Sequence, residues 1–533
     1  MSGLIKIASL AVVLFLFLAL AFQFQFNTSV YVLVQQRQEH ANARNIGRWE
    51  QSILLPIVPV AIAVLPRTGK VLAWAADKPN VFSNATTHTL SVIYDPSTHQ
   101  VNNQNVTITH HNMFCPGLSL DTSGRVVVTG GSTSDATSIY DEVQGRWLSG
   151  PPLTVGRGYH SQATLSDGRV FTIGGSWSGP LGGKNGEILD PNKQTWTALP
   201  NTLAEPLLTS DFLGPFAGDN HAWLFAWRND SVFQAGPSRA MNWYGVSSSG
   251  ACQPAGTRGK DSDSMNGNAV MYDALAGKIL AVGGARHYND AAATNATHIV
   301  TLPSDPFTMP HVQELKGMKH PRAYANSVLL PTGEVLITGG ATYAKQWADV
   351  NATLVPELFN PDTLTFTPLA KMPIPRTYHS VAVLLPDATV LTGGGGLCWE
   401  KCLGPEEEIN HLDLQRFTPP YLLSGDPRPK ILEISDTEVD LGGVFELLVD
   451  GEVAEVAMVR YSSATHAINT DQRRVRLVPT VLGKQKGRAL HRVEIPEDGG
   501  VVVPGYWMVF AISSGKGGMK VPSVAETILI RAK

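Results

Sequence analysis

The stretch RVVVTGG, Arg125–Gly131, sets a glycine pair behind four β-prone residues, and versions of it recur along the chain. KVLAWAA begins at Lys70, RVFTIGG at Arg169, SVFQAG at Ser231, KILAVGG at Lys278, EVLITGG at Glu334 and TVLTGGG at Thr389. The seven copies lie 44 to 62 residues apart. Most follow a glycine-containing turn such as SDGR or PTGE, which is the chemistry of a tight hairpin. Trp147 and Trp196 follow their glycine pairs at similar distances and are expected to pack between neighbouring units.

A chain of 533 residues is too long for one ordinary core. With 16% charged residues, 50 Gly and 35 Pro it suits a turn-rich β protein better than a helical one. A period near 50 with a glycine pair fits a kelch-type β-propeller, one four-stranded blade per repeat. Seven copies predict seven blades over residues 47–426, an all-β fold whose loops, distant in sequence, meet at one end of a common axis. After Phe417–Ile431 (FTPPYLLSGDPRPKI) the repeat stops. Short alternating runs follow (VFELLV, EVAMVRY, RVRLVP, YWMVFAI), which predict a separate immunoglobulin-like β-sandwich over 427–533.

The N-terminus predicts export. Ile7–Phe22 is almost wholly apolar, follows Lys6 and contains Ala19-Leu20-Ala21, an A-x-A-like cleavage signal. Residues 1–22 therefore read as a signal peptide or, if uncleaved, as a signal anchor tethering the chain to a membrane. Residues 23–46 read as a linker. Sequons at Asn27, Asn84, Asn105, Asn229, Asn295 and Asn351 fit a secreted glycoprotein. A net charge of −4 with no basic run argues against nucleic acid as a partner. Four cysteines are too few for a disulfide scaffold. Cys398 and Cys402 can close a small loop, and Cys252 has no evident partner.

Five residues carry the chemistry: Cys115 in MFCPG, Tyr140 in TSIYD, Tyr378-His379 in RTYHS and His466 in THAINTDQRR. Two imidazoles and two phenols make a four-ligand N/O set of the kind that suits Cu(II). Together with Trp177 in GGSWSG, these segments closely resemble the galactose oxidase family of copper radical oxidases, from about Gly47 to the C-terminus. The resemblance implies one copper ion held by Tyr140, Tyr378, His379 and His466. It also implies a Cys115–Tyr140 thioether that stores one electron, with Trp177 stacked over the modified ring. Tyr378 is implied as the base that takes the alcohol proton. A loop of the sandwich then has to reach the propeller axis to deliver His466. Removing two electrons from an alcohol needs a second store beside copper, and no G-x-G-x-x-G follows a strand to suggest a flavin or nicotinamide. The implied reaction converts a primary alcohol and O₂ to an aldehyde and H₂O₂, which peroxide-using enzymes could consume.

The substrate pocket departs from a sugar oxidase. The family's sugar-holding arginine falls on Ala217 in GPFAGDNHAWLF, its neighbouring tyrosine on Phe216, and a glutamine on Asn289 in RHYND. An aromatic wall residue appears as Trp347, and Phe82 is kept. The chain also has too few residues before GRWEQSILLPIVP for the family's N-terminal carbohydrate-binding domain. These departures predict non-carbohydrate primary alcohols, aryl or aliphatic. The alternatives are a glyoxal-oxidase-like enzyme acting on aldehydes, galactose oxidation, and a kelch binding module without chemistry. His110-His111 precede the Cys115 motif without a second metal set to join.

Overall fold

The computed structural model describes residues 43–83, 87–399 and 409–532. The leader, most of the linker, the sequons at Asn27 and Asn84, and Cys402 lie outside the described residues. Among the described residues no helix is long and apolar enough to cross a membrane.

Among the described residues seven antiparallel sheets, five of four strands and two of five, follow one another in chain order, consistent with the seven repeats. The first runs from Ala61–Val64 to Val101–Val106, the second from Gly117–Leu120 to Arg146–Ser149, and the third from Ser161–Thr164 to Thr195–Ala198. The fourth, fifth and sixth begin at Leu224–Trp227, Asn268–Asp273 and Ala323–Leu329. The seventh joins Ser380–Leu384, Val390–Gly394 and Asp413–Thr418 to Arg48–Trp49 from the other end of the chain, so the first and last parts of the propeller are laced together. Each repeat copy forms the second strand of its blade, and the first strands gather around the axis.

The glycine pairs have a physical cause. Gly131 N donates to the Arg157 carbonyl of the next blade, Gly284 N to Arg322 O and Gly340 N to Arg376 O. At Gly130 and Gly339 a Cβ would overlap those same carbonyls, so the close approach of one blade to the next excludes any side chain. The arginines then turn back into their own blades. Arg157 pairs with Glu187 at 2.8 Å, Arg322 with Glu357 at 2.7 Å and Arg376 with Asp413 at 2.7 Å. Each also donates to a glycine carbonyl of its own pair: Gly174, Gly339 and Gly394. Trp147 packs on Trp74 of the first blade, with centroids 5.9 Å apart, and Trp196 Nε1 donates to Thr137 Oγ1 of the second. Both indoles fill the gaps between blades, as expected.

Residues 430–531 form a four-stranded and a six-stranded sheet. They enclose a core that includes Phe445, Leu447, Met458, Val475, Trp507 and Ile528. Between Arg460 and Arg474 the chain leaves this sandwich and enters the propeller. Ser463–Thr465 pairs antiparallel with Ala61–Ala63 on the axial edge of the first blade. Asp471 accepts from Arg460, from Ser463 Oγ and from Leu120 N of the second blade. Gln472 exchanges two bonds with Ser327 and Leu329 of the sixth, and Arg473 donates to Ala226 O of the fourth. Arg473 also bridges to Met271 and Arg474 O accepts from Ala274 N of the fifth, so one short segment bonds to five blades.

Removing one partner of a buried ion pair strands the other, at a cost of about 3–5 kcal/mol. Asp471→Ala should therefore lower the melting temperature measured by calorimetry, and Ser463→Ala should lower it far less.

Candidate active site

The residues that converge on the axis sit where the chain enters a first strand. Cys115 precedes Gly117–Leu120, Tyr159 precedes Ser161–Thr164, Tyr378 and His379 precede Ser380–Leu384, and His466 follows Ser463–Thr465. Ligand atoms of Cys115, His379 and His466 lie within 4.8 Å of one another, all buried. The His379 and His466 rings stand 4.7 Å apart and nearly perpendicular. Tyr378 stacks on His379 at 3.8 Å, and its hydroxyl is hydrogen-bonded to that of Tyr159.

Outer contacts fix which nitrogen of each imidazole is free. His379 Nδ1 lies 2.6 Å from the Gly396 carbonyl, which can only accept, so Nδ1 carries the proton. Thr465 Oγ1 donates to Val60 O, so it accepts from His466 Nδ1 at 2.7 Å. In both rings Nε2 is left with a lone pair, and both Nε2 atoms are buried without a partner. That is how protein histidines are held for a metal. Burial keeps them neutral: the pKa of His379 falls to about 3, and that of His466 falls well below the ordinary value. Burial likewise pushes the Tyr159 and Tyr378 phenols well above their ordinary value. Two unpartnered imidazole lone pairs beside two phenol oxygens fit a copper ion.

Tyr140 is not part of this cluster. It lies on Thr137–Asp141, the third strand of its blade, where its ring packs on Trp147 at 5.4 Å. A third strand stands two strands away from the axis, so its side chains fill the space between blades and do not reach the centre. Tyr159 occupies the expected place. Its backbone N–H donates to Cys115 O at 2.9 Å, the two side chains pack in one core, and Trp177 stacks on its ring at 4.6 Å and 25°. The missed signal is in the sequence: RGYHS at 157–161 repeats RTYHS at 376–380, each just ahead of a first strand.

Around the cluster, Phe82 stacks on Phe114 at 4.5 Å and meets Trp347 at 6.2 Å, while Trp347 stands edge-on to Tyr378 at 5.8 Å. Ala217 is buried, and Phe216 is 41% exposed at the rim. Asn289 sits beside the Trp347 loop. Its Oδ1 accepts from Gln346 N, and its Nδ2 donates to Asp290. Sequence reasoning also missed Phe114, Tyr288 and His221. Tyr288 OH lies 3.3 Å from Tyr378 OH and 2.9 Å from His221 Nε2. His111 is a satisfied structural residue between Ser138 Oγ and Gly130 O. Cys398 is disulfide-bonded and Cys252 is free.

A galactose oxidase of Gibberella zeae is 46% identical over 495 residues, 91% of this chain and 71% of that protein. The chain belongs to the galactose oxidase family of copper radical oxidases. Residues 258–421 match the family model described as glyoxal oxidase N-terminus, and residues 428–530 the one described as galactose oxidase-like, early set domain. A solved structure described as a novel fungal alcohol oxidase of the AA5 family, in complex with copper, is 41% identical with a TM-score of 0.85. It covers 91% of this chain and 100% of its own. An aldehyde oxidase of Arabidopsis thaliana is 28% identical over 464 residues, 78% of this chain and 71% of that protein. This member of the galactose oxidase family is a copper-dependent alcohol oxidase.

A thioether at Cys115 removes two hydrogens. Mass spectrometry of copper- and oxygen-matured protein should find that loss in the wild type and in Tyr140→Phe, and should not find it in Tyr159→Phe or Cys115→Gly. A Tyr140→Phe protein that lacks the loss would restore the original assignment.

Proposed function

We propose that the enzyme oxidises primary alcohols without a sugar ring, aryl or aliphatic, to aldehydes, reducing O₂ to H₂O₂. Tyr159, Tyr378, His379 and His466 are the copper ligands in this reading, and Cys115–Tyr159 is the radical cofactor. The observation that carries it is Tyr159, bonded through its backbone to Cys115 and stacked under Trp177, beside two imidazoles whose inward nitrogens have no partner.

Copper, when bound, supplies the second one-electron store and makes phenolate accessible near neutral pH. Tyr378 Oη takes the proton of the substrate hydroxyl. Its contact with Tyr288, and Tyr288's with His221, give that proton a buried onward path. Once joined to Cys115 and oxidised by one electron, Tyr159 would take a hydrogen atom from the reacting carbon, and the attached sulfur would lower the ring's oxidation potential. Trp177 covers the ring and keeps water from it.

Three observations support the substrate class. The position of the sugar-holding arginine is Ala217, whose methyl is packed into the core. Each hydroxyl left unpaired on burial costs about 1–3 kcal/mol, enough to cut discrimination for a sugar by orders of magnitude. The remaining walls, Phe82, Phe114, Trp177 and Trp347, are aromatic. Asn289 has its amide oxygen engaged by Gln346 and its amide nitrogen by Asp290. Alcohols stand ahead of aldehydes because the galactose oxidase and the fungal alcohol oxidase are 46% and 41% identical, against 28% for the plant aldehyde oxidase.

Secretion is part of the proposal, with retention by the apolar N-terminal segment as its alternative. The exposure of Asn105, Asn229 and Asn351 supports it.

Peroxide release on benzyl alcohol and 1-butanol should exceed that on galactose and methylglyoxal. Ala217→Arg should raise kcat/KM for galactose about tenfold or more while lowering it for benzyl alcohol. Galactose as the best wild-type substrate would overturn the pocket reading.

A further inference from the structure

The segment Gly396–Trp399 starts at the metal cluster and ends beside Phe82. Gly396 O accepts from His379 Nδ1, and Gly396 N donates to Tyr378 O. Three residues on, Cys398 and Trp399 form a short parallel ladder with Val81 and Phe82. Cys398 is disulfide-bonded, and Leu397 N donates to Asn410 Oδ1 at 2.6 Å. The strand is therefore tied at both its backbone and its side chain. Its last residue sets an indole edge-on to Phe82 at 5.1 Å.

Trp399 remains 36% exposed, an unusual surface position for a large indole on so restrained a backbone. Phe82 thereby has three aromatic neighbours: Phe114 on the inner side, Trp347, and Trp399 toward solvent. Trp347 also lines a cleft of about 880 Å³ that includes Tyr343, Pro375 and Ile409. From Tyr378 a chain of aromatic rings leads outward, Trp347 at 5.8 Å from Tyr378, Phe82 at 6.2 Å from Trp347 and Trp399 at 5.1 Å from Phe82. The exposed face of Trp399 is then the next apolar surface available to a substrate along that chain.

We propose that Trp399 is a specificity-determining residue that packs against the distal alkyl or aryl part of the substrate. The inference rests on the alcohol-oxidase reading and extends it from the reacting carbon to the substrate's tail. A short alcohol ends before it reaches this indole, whereas a long one buries extra methylene groups on it. Discrimination by Trp399 must therefore grow with chain length.

The test compares Trp399→Ala and Trp399→Phe with wild type on 1-butanol, 1-octanol and galactose, with kcat and KM measured separately. A buried methylene contributes about 0.8 kcal/mol, a factor of about four in binding. Two methylenes in contact with the indole thus predict a loss of about fifteenfold in kcat/KM for 1-octanol in Trp399→Ala. That loss should be carried by KM, with about twofold or less for 1-butanol. Trp399→Phe should recover most of it. Copper content and the visible absorption of the oxidised enzyme should not change. An equal loss on all substrates, or a fall in copper content, would mean that Trp399 only holds the Gly396 carbonyl in place, and would overturn the inference. So would an unchanged ratio of 1-octanol to 1-butanol. A wild-type enzyme that prefers galactose would sink the substrate reading itself, and that control separates the two failures.

Discussion

The blade-to-blade contact at the glycine pairs is the constraint on which the rest depends. An arginine just ahead of a first strand offers its carbonyl to the glycine pair of the preceding blade, and its guanidinium goes to a carboxylate and a glycine carbonyl of its own. The unit is buried, so each member is costly to remove, and it repeats in the third, sixth and seventh blades. Its consequence is positional. Two residues after each of these arginines comes a tyrosine, Tyr159, Tyr324 or Tyr378, and all three lie at the centre. The same fixed offset that locks the blades delivers phenols to the axis.

Delivery carries a conformational cost. Cys115, Tyr159, His379 and His466 all have left-handed backbone, with φ of 61°, 65°, 69° and 49°. Each such non-glycine residue costs of order 1–3 kcal/mol and persists only where its surroundings over-determine it. Here the surroundings are the blades themselves. Cys115 O accepts from Tyr159 N, Tyr159 O accepts from His221 N, and Thr465 is held both by Val60 and by the first blade's edge. Tyr140, by contrast, sits in ordinary extended strand with a cross-strand partner at Trp147. Local strain thus separates the two tyrosines as clearly as distance does.

The architecture was legible in the sequence because its cause is periodic. A pair of small residues recurs once per blade, as glycines in five of the seven copies, where an approaching carbonyl leaves no room for a side chain. The indoles Trp147 and Trp196 were readable for the same reason. The site was legible only in part. His379 and His466 were marked by distinctive flanks, whereas two tyrosines competed for the place beside Cys115. Motif likeness at SIYD drew the choice to Tyr140, although RGYHS shares the arginine, the spacing and the first-strand context of RTYHS. Tyr288 and His221 had no local mark at all, since their part depends on contacts spanning 67 and 90 residues.

The pocket shows how one substitution is compensated elsewhere. Residue 217 is a buried alanine, and the asparagine at 289 spends its amide on its own loop and the next. Its carbonyl oxygen accepts from Gln346 N, which fixes the loop carrying Trp347. Trp347 itself has left-handed backbone, at φ 51°, and its indole stands edge-on to Tyr378 at 5.8 Å. Residues 217 and 289 thus serve packing and the positioning of the aromatic wall. A polar recognition surface and a rigid aromatic one cannot share these positions. The choice between them follows from where the amide of residue 289 finds its partners.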